Sequence, residues 1–183
     1  MRFRHYKCYI FVNELNETIK KNVLKISKPN LILNFNISEQ FSLILAKSII
    51  KFCRKHHIPF YILNDIKIAK QLNARGVFIS SSNKKIGLSL FNSMKFKLIG
   101  SAHNQLEYFI KQKQTCETIM LSPIFYNKKY SVNKILNPIK FNLISLDWKL
   151  NLCALGGLAE ENIGKIKMTK AKAIGVKSLV NKR

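Results

Sequence analysis

Apolar residues in this chain gather into eight short runs, separated by longer stretches where apolar and polar positions recur at helical spacing. The runs are Cys8–Val12, Leu31–Phe35, Pro59–Leu63, Gly76–Ile79, Lys97–Ser101, Thr118–Ser122, Leu152–Leu155 and Ala173–Val176. Several are apolar throughout, as strands covered on both faces are. Between them, Glu39–His56 places Phe41, Leu45, Ser48, Ile49 and Phe52 on one helical face with lysines opposite, and Ser38 stands where a cap belongs. Ile66–Leu72, Asn104–Gln112 and Glu160–Met168 repeat the pattern over shorter spans, and Lys85–Ser93 repeats it faintly. Pro59, Pro123 and Gly156-Gly157 punctuate the strand ends.

Strands alternating with helices predict a parallel sheet, and eight such units predict a closed (β/α)8 TIM barrel filling residues 1–183 as one domain. At 183 residues the chain is shorter than the roughly 200 at which such barrels usually begin, so the helices are expected to be short and the C-terminal helix reduced. An open doubly wound sheet is the alternative. Both folds place their chemistry beyond the C-terminal ends of the strands.

Composition narrows the function classes. Hydrophobic residues make up 47% and charged residues 22%, enough for a packed core. No apolar run approaches the roughly 18 residues that cross a bilayer, and the apolar stretch behind the basic N-terminus is too short for a signal core. Cys8, Cys53, Cys116 and Cys153 lie far apart without a CxxC pair, which fits free thiols in the cytoplasm, the expected location. Lys and Arg number 32 against 9 Asp and Glu, a net charge of +23. The excess is spread along the chain and dominated by lysine, whereas a nucleic-acid face is more often clustered and arginine-rich. Small anionic substrates are therefore the preferred partners and nucleic acid the less favoured one. Nothing in the pattern speaks to oligomeric state.

The strand ends carry the candidate chemistry. Asn64-Asp65 follows the third run. Asp65 is one of only two aspartates, so it is a candidate Mg²⁺ ligand, and equally a helix cap with Asn64 turning the chain. Ser101-Ala102-His103-Asn104 follows the fifth run, where His103 is placed to transfer protons near neutral pH or to bond a helix start. Asn127, Lys128 and Lys129 lie in the loop after the sixth run, as phosphate contacts or as solvated charges. Gly156-Gly157, ahead of a helix expected at about Ala159, and Lys177-Ser178 follow the last two runs, where barrels build phosphate sites.

Taken together, Asn64-Asp65 with Ala69, Ala74-Arg75-Gly76-Val77, Ile99 to Asn104, Leu121-Ser122-Pro123-Ile124-Phe125, Ala154 to Leu158 and Ala173 to Val176 form an ordered set. The set resembles the thiamine phosphate synthase family and its relative, the thiazole tautomerase TenI, over roughly residues 30–180. The resemblance implies a (β/α)8 barrel and a transferase of thiamine biosynthesis. Such an enzyme couples hydroxymethylpyrimidine pyrophosphate to thiazole phosphate and releases pyrophosphate with Mg²⁺ bound. It implies that Asn64 and Asp65 hold pyrophosphate and Mg²⁺ and that Ser101 touches pyrophosphate. Gly157 and the backbone near Lys177-Ser178 would hold the thiazole phosphate. In the tautomerase branch, a His at the position of His103 transfers the proton.

The chain also departs from that pattern. The second-strand Gln-x-Arg-x-Lys motif aligns with Ile32-Leu33-Asn34-Phe35-Asn36, without its two cations. The second metal carboxylate falls at or near Asn83, and the Thr-x-Thr-Lys loop aligns with Asn127-Lys128-Lys129-Tyr130. Three readings follow: a synthase in which Lys128 or Lys129 replaces the lost cations, a TenI-like tautomerase, or a noncatalytic remnant binding a phosphorylated ligand or nucleic acid. The catalytic readings expect Asp65, His103 and the double glycine to share one hollow.

Overall fold

The structure, a computed structural model, describes residues 6–35, 40–85, 96–128 and 131–177. Eight strands run in chain order: β1 Lys7–Val12, β2 Pro29–Leu33, β3 Phe60–Leu63, β4 Gly76–Ile79, β5 Lys97–Ala102, β6 Thr118–Leu121, β7 Asn151–Leu155 and β8 Ala173–Val176. Each pairs in parallel with its neighbours, and β8 returns to β1, so the sheet closes into the predicted barrel rather than the open alternative. The described helices on its outside are α1 Glu17–Leu24, α2 Gln40–Lys55, α3 Ile66–Gln71, α4 Gln105–Lys113 and α5 Asn137–Ile144.

The period-two geometry of a strand divides the buried residues into two layers. Tyr9, Phe11, Ile32, Tyr61, Phe78, Ile99, Met120, Cys153 and Ala173 point inward and fill the barrel. Their alternates, among them Cys8, Ile10, Val12, Leu31, Leu33, Ile62 and Val77, point outward under the helices. Inside, Phe11 meets Phe78 edge to face at 5.1 Å, and Tyr9 meets Tyr61 in the same way at 5.8 Å. Such a barrel is a packed core and not a pore, so its ligand sites lie at its two ends.

Short polar side chains start the helices. Asn16, Asp65 and Asn104 accept from the backbone N–H of Ile19, Ile68 and Glu107 at 2.8–2.9 Å. In α2 the buried face is Ala46, Ile49, Ile50, Phe52 and Cys53 with Leu45 half-buried, while Ser48, expected on that face, is exposed. The expected helix Glu160–Met168 is instead a 3-10 turn over Ile163–Met168. Its two buried residues, Ile163 and Ile166, lie three apart, the spacing that eclipses in a 3-10 turn. Ser38, most of Lys85–Ser93 and the expected reduced C-terminal helix lie outside the described residues. Among the described residues no helix is long and apolar enough to cross a membrane. All four cysteines are free and buried, and burial pushes the thiols of Cys8, Cys53 and Cys116 up to about 12.

Candidate active site

At the C-terminal mouth a hollow of about 460 Å³ lies over the ends of β6, β7, β8 and β1. Phe11, Leu155, Leu158 and Val176 make it apolar, and Asn34, Ser122, Asn127, Lys128 and Lys177 supply its polar side chains. Its shape depends on the β7 loop. Gly156 and Gly157 have φ of +94° and +69°, a region open to glycine at little cost. A Cβ on Gly157 would overlap the carbonyl oxygens of Phe125 and Tyr126. The loops after β6 and β7 therefore lie backbone against backbone: Ile124 N donates to Leu155 O at 3.0 Å, and Phe125 N to Gly156 O at 3.1 Å. Asn162 locks the far side, donating to Gly157 O at 2.7 Å and accepting from Ala159 N at 2.9 Å. No α-helix starts at Ala159, so the attraction for an anion here comes from Lys128, Lys177 and the close backbone rather than from a helix dipole.

A second group gathers at the ends of β3 and β4. Asn64, at φ 54°, accepts from Ser80 N at 2.9 Å and donates to Ser80 Oγ at 3.0 Å. Asn83 donates to the Asn64 side-chain oxygen at 3.4 Å, and its own oxygen accepts from Lys85 N at 3.1 Å. Asp65 accepts from Ile68 N and so caps α3. From below, the buried Lys111 of α4 pins this loop. Its Nζ donates to Ser80 O and Asn83 O at 2.7 Å each and to Gln114 Oε1 at 2.9 Å. Gln114 adds bonds to Asn83 O and Lys85 O.

Mg²⁺ takes oxygen in near-octahedral array, usually with one or two carboxylates. Here Asp65 is the one carboxylate, and the amide oxygens of Asn64 and Asn83 already accept from peptide N–H groups. Among the described residues no three His, Cys, Asp or Glu side chains gather to hold a metal. These donors do not fit a Mg²⁺ held by the protein alone.

The third group is at the end of β5. Glu107 Oε2 accepts from the His103 backbone N at 2.8 Å and lies 2.9 Å from His103 Nδ1, while Asn104 caps α4. The carboxylate thus fixes the orientation of the ring. Ser101, one turn of pleat below, is buried.

A model of the thiamine monophosphate synthase family matches residues 20–180. The chain belongs to this family. It is 27% identical over 139 residues to the thiamine-phosphate synthase of Staphylococcus haemolyticus (strain JCSC1435), a match covering 74% of this chain and 65% of that protein's length. Thiamine phosphate pyrophosphorylase from Pyrococcus furiosus superposes with a TM-score of 0.74 at 15% identity, over 97% of this chain and 87% of the other. The corresponding protein from Bacteroides thetaiotaomicron gives 0.62 at 14%, over 97% and 86%. At such identities these two structures show the shared fold alone.

Within this barrel of the thiamine monophosphate synthase family, the hollow brings together Asn127, Lys128, Gly156, Gly157 and Lys177. Asn64, Asp65, Asn83, Ser101 and His103 stand at strand ends or in the adjoining loops of the same face but do not line it, so the expectation of one shared hollow holds only for the double glycine. Lys129 and Ser178 lie outside the described residues. Phe11 lines the hollow without having been singled out, and Ser122 and Val176, read only as parts of the family motifs, line it too; all three lie at or next to the C-terminal end of a strand. Lys111 was also missed; its signal was a lysine on the buried side of a helix, beside Tyr108. Because Asp65 is spent as a cap, Asp65→Ala is expected to lower stability by about 1 kcal/mol. A urea melt checks this, with Asp65→Ser, which keeps a capping oxygen, restoring most of the loss.

Proposed function

We propose that the chain is a thiamine phosphate synthase. The pyrimidine methylene carbon loses pyrophosphate, which leaves with the C–O bonding pair. The thiazole ring nitrogen gives its lone pair to that carbon, forming the C–N bond and a thiazolium, and no proton changes hands. Catalysis of this kind needs the departing charge matched and the nitrogen aligned with the carbon. The observation that carries the reading is the hollow. Its apolar wall of Phe11, Leu155 and Val176 suits flat rings, and the Gly156-Gly157 backbone with Lys177 suits the thiazole phosphate. Lys128, on the same lining, is assigned to the departing pyrophosphate in place of the cations absent at Asn34 and Asn36. The reading places this work in the cytoplasm, where buried thiols stay reduced.

The test offers purified protein both substrates together and each alone, in buffer containing Mg²⁺. Pyrophosphate release and thiamine phosphate formation are expected only with both, and no product from the pair overturns the reading. One contact favours a second reading, a TenI-like tautomerase: Glu107 holds His103 by Nδ1, an arrangement suited to taking a proton from one thiazole atom and returning it to another. His103→Ala is expected to leave coupling within about threefold of the parent, a small change beside the 10²–10⁴ contributed by a true general base. A loss of that larger size, in isomerisation of the carboxythiazole phosphate, would instead favour the tautomerase.

A further inference from the structure

The opposite end of the barrel, at the N-terminal ends of the strands, holds a larger open hollow of about 1330 Å³. Lys7 opens β1, Arg75 immediately precedes β4, Lys97 opens β5 and Lys172 immediately precedes β8. Arg54 and His57 extend the same lining outward. None of the described residues lining this hollow is acidic. The adjoining carboxylate, Glu117, pairs with Lys97 at 2.8 Å and offsets one charge of the four.

Helix C-termini also converge on this end and attract cations in any such barrel. That does not account for Lys7, Arg75, Lys97 and Lys172, none of which belongs to a helix. Their proximity is unfavourable as it stands. Burial holds the Lys7 ammonium below its ordinary range, and the Lys97 and Arg75 charges push it in the same direction. A second observation is independent of charge. Tyr61 lines the same hollow, is fully buried, and its hydroxyl completes no hydrogen bond of good geometry, even beside Tyr9. A buried O–H without a partner is costly unless something supplies an acceptor.

We propose that this hollow binds a chain of phosphates, as inorganic tripolyphosphate or as the triphosphate of a nucleotide. Lys7, Arg75, Lys97 and Lys172 surround the phosphates, and Tyr61 donates to them from the floor. A single phosphate would leave most of these groups unused, because they span β1, β4, β5 and β8 of the closed barrel. The site does not depend on the reading of the mouth, since the stacked Phe11–Phe78 and Tyr9–Tyr61 layers fill the barrel between the two ends.

Calorimetric titration with tripolyphosphate and with ATP tests this at about 0.15 M salt, where diffuse surface attraction is screened. One saturable site is expected to remain when the two mouth lysines are replaced. Arg75→Gln with Lys172→Gln, both exposed positions, is expected to weaken it about tenfold or more, as loss of paired charges does. Two control pairs, Lys140→Gln with Lys165→Gln on the outer surface and Lys128→Gln with Lys177→Gln at the mouth, are expected to change it about twofold or less, and thermal melts confirm that all three pairs fold. Equal affinity for both ligands means the phosphates alone are recognised; tighter ATP means a nucleotide is. The proposal is overturned if the outer pair weakens binding as much as the foot pair, or if only the mouth pair matters. It is also overturned if an RNA oligonucleotide binds more tightly than tripolyphosphate through the same foot residues.

Discussion

Gly157→Ala is expected to cost about 3 kcal/mol of stability, from a left-handed backbone and from overpacking combined. In the same variant, coupling activity is expected to fall by about 10²-fold, the effect of displacing a binding group by an ångström. The φ of +69° penalises any side chain, and the new Cβ would overlap two carbonyl oxygens, those of Phe125 and Tyr126. Backbone cannot rotate out of the way as a side chain can, so the β7 loop must lift from the β6 loop. That movement separates Gly157 from Lys128 across the hollow and breaks the bond from Phe125 N to Gly156 O. Gly156→Ala is the graded control: its φ of +94° penalises a side chain as well, but its Cβ would lie 3.0 Å from Pro123 Cα and Cβ, clear of the overlap that Gly157 would suffer. Denaturant melts and kcat/KM for both variants check the order. Equal effects, or a Gly157→Ala protein with unchanged kinetics, would remove the loop contact from the account of the site.

The strands were readable because a parallel barrel buries both faces, and Leu31, Ile32 and Leu33 show how that appears as an unbroken apolar run. α1 and α5 were not singled out, and α5 shows why. It buries only Phe141 while Ile139 and Leu143 face outward, so its apolar residues do not mark one side. Ser48 fell on a plausible face by spacing alone, yet the buried stripe runs through Ala46, Ile49, Ile50 and Cys53, one position over. At the mouth, residues on the lining loops, such as Lys128 and Lys177, were placed by counting strand ends. The roles of Asp65 and His103 were not settled in that way. Each sits where a helix starts, and the first need of a helix start is an acceptor or its orienting partner: Asp65 serves Ile68 N, and Glu107 takes both His103 groups. Spacing records the position of such residues but not which demand on them is met first.

Lys111→Met is expected to destabilise the protein by about 2–4 kcal/mol while leaving the barrel's volume nearly filled. The methionine keeps the apolar stem that packs against Gly100 but removes the donor from Ser80 O, Asn83 O and Gln114 Oε1. Asn83 O retains Gln114 Nε2; Ser80 O loses its ammonium. The β4 loop would then loosen, and with it the paired bonds between Ser80 and Asn64. The pH dependence distinguishes a buried charge from simple packing. Burial lowers the Lys111 pKa below its ordinary 10.5. Between that lowered value and 10.5 the unfolded chain holds a proton the folded chain has released, so rising pH favours folding across this window. Below the window both states are protonated and the burial cost is constant. The stability difference between the parent and Lys111→Met should therefore widen as pH rises toward 10.5. Urea melts of the two proteins at several pH values measure that difference directly, and because their other charges are the same, the general effect of shedding positive charge cancels. A difference that stays flat would mean that the folded protein holds the Lys111 proton as firmly as the unfolded chain does, so that burial does not weaken its charge.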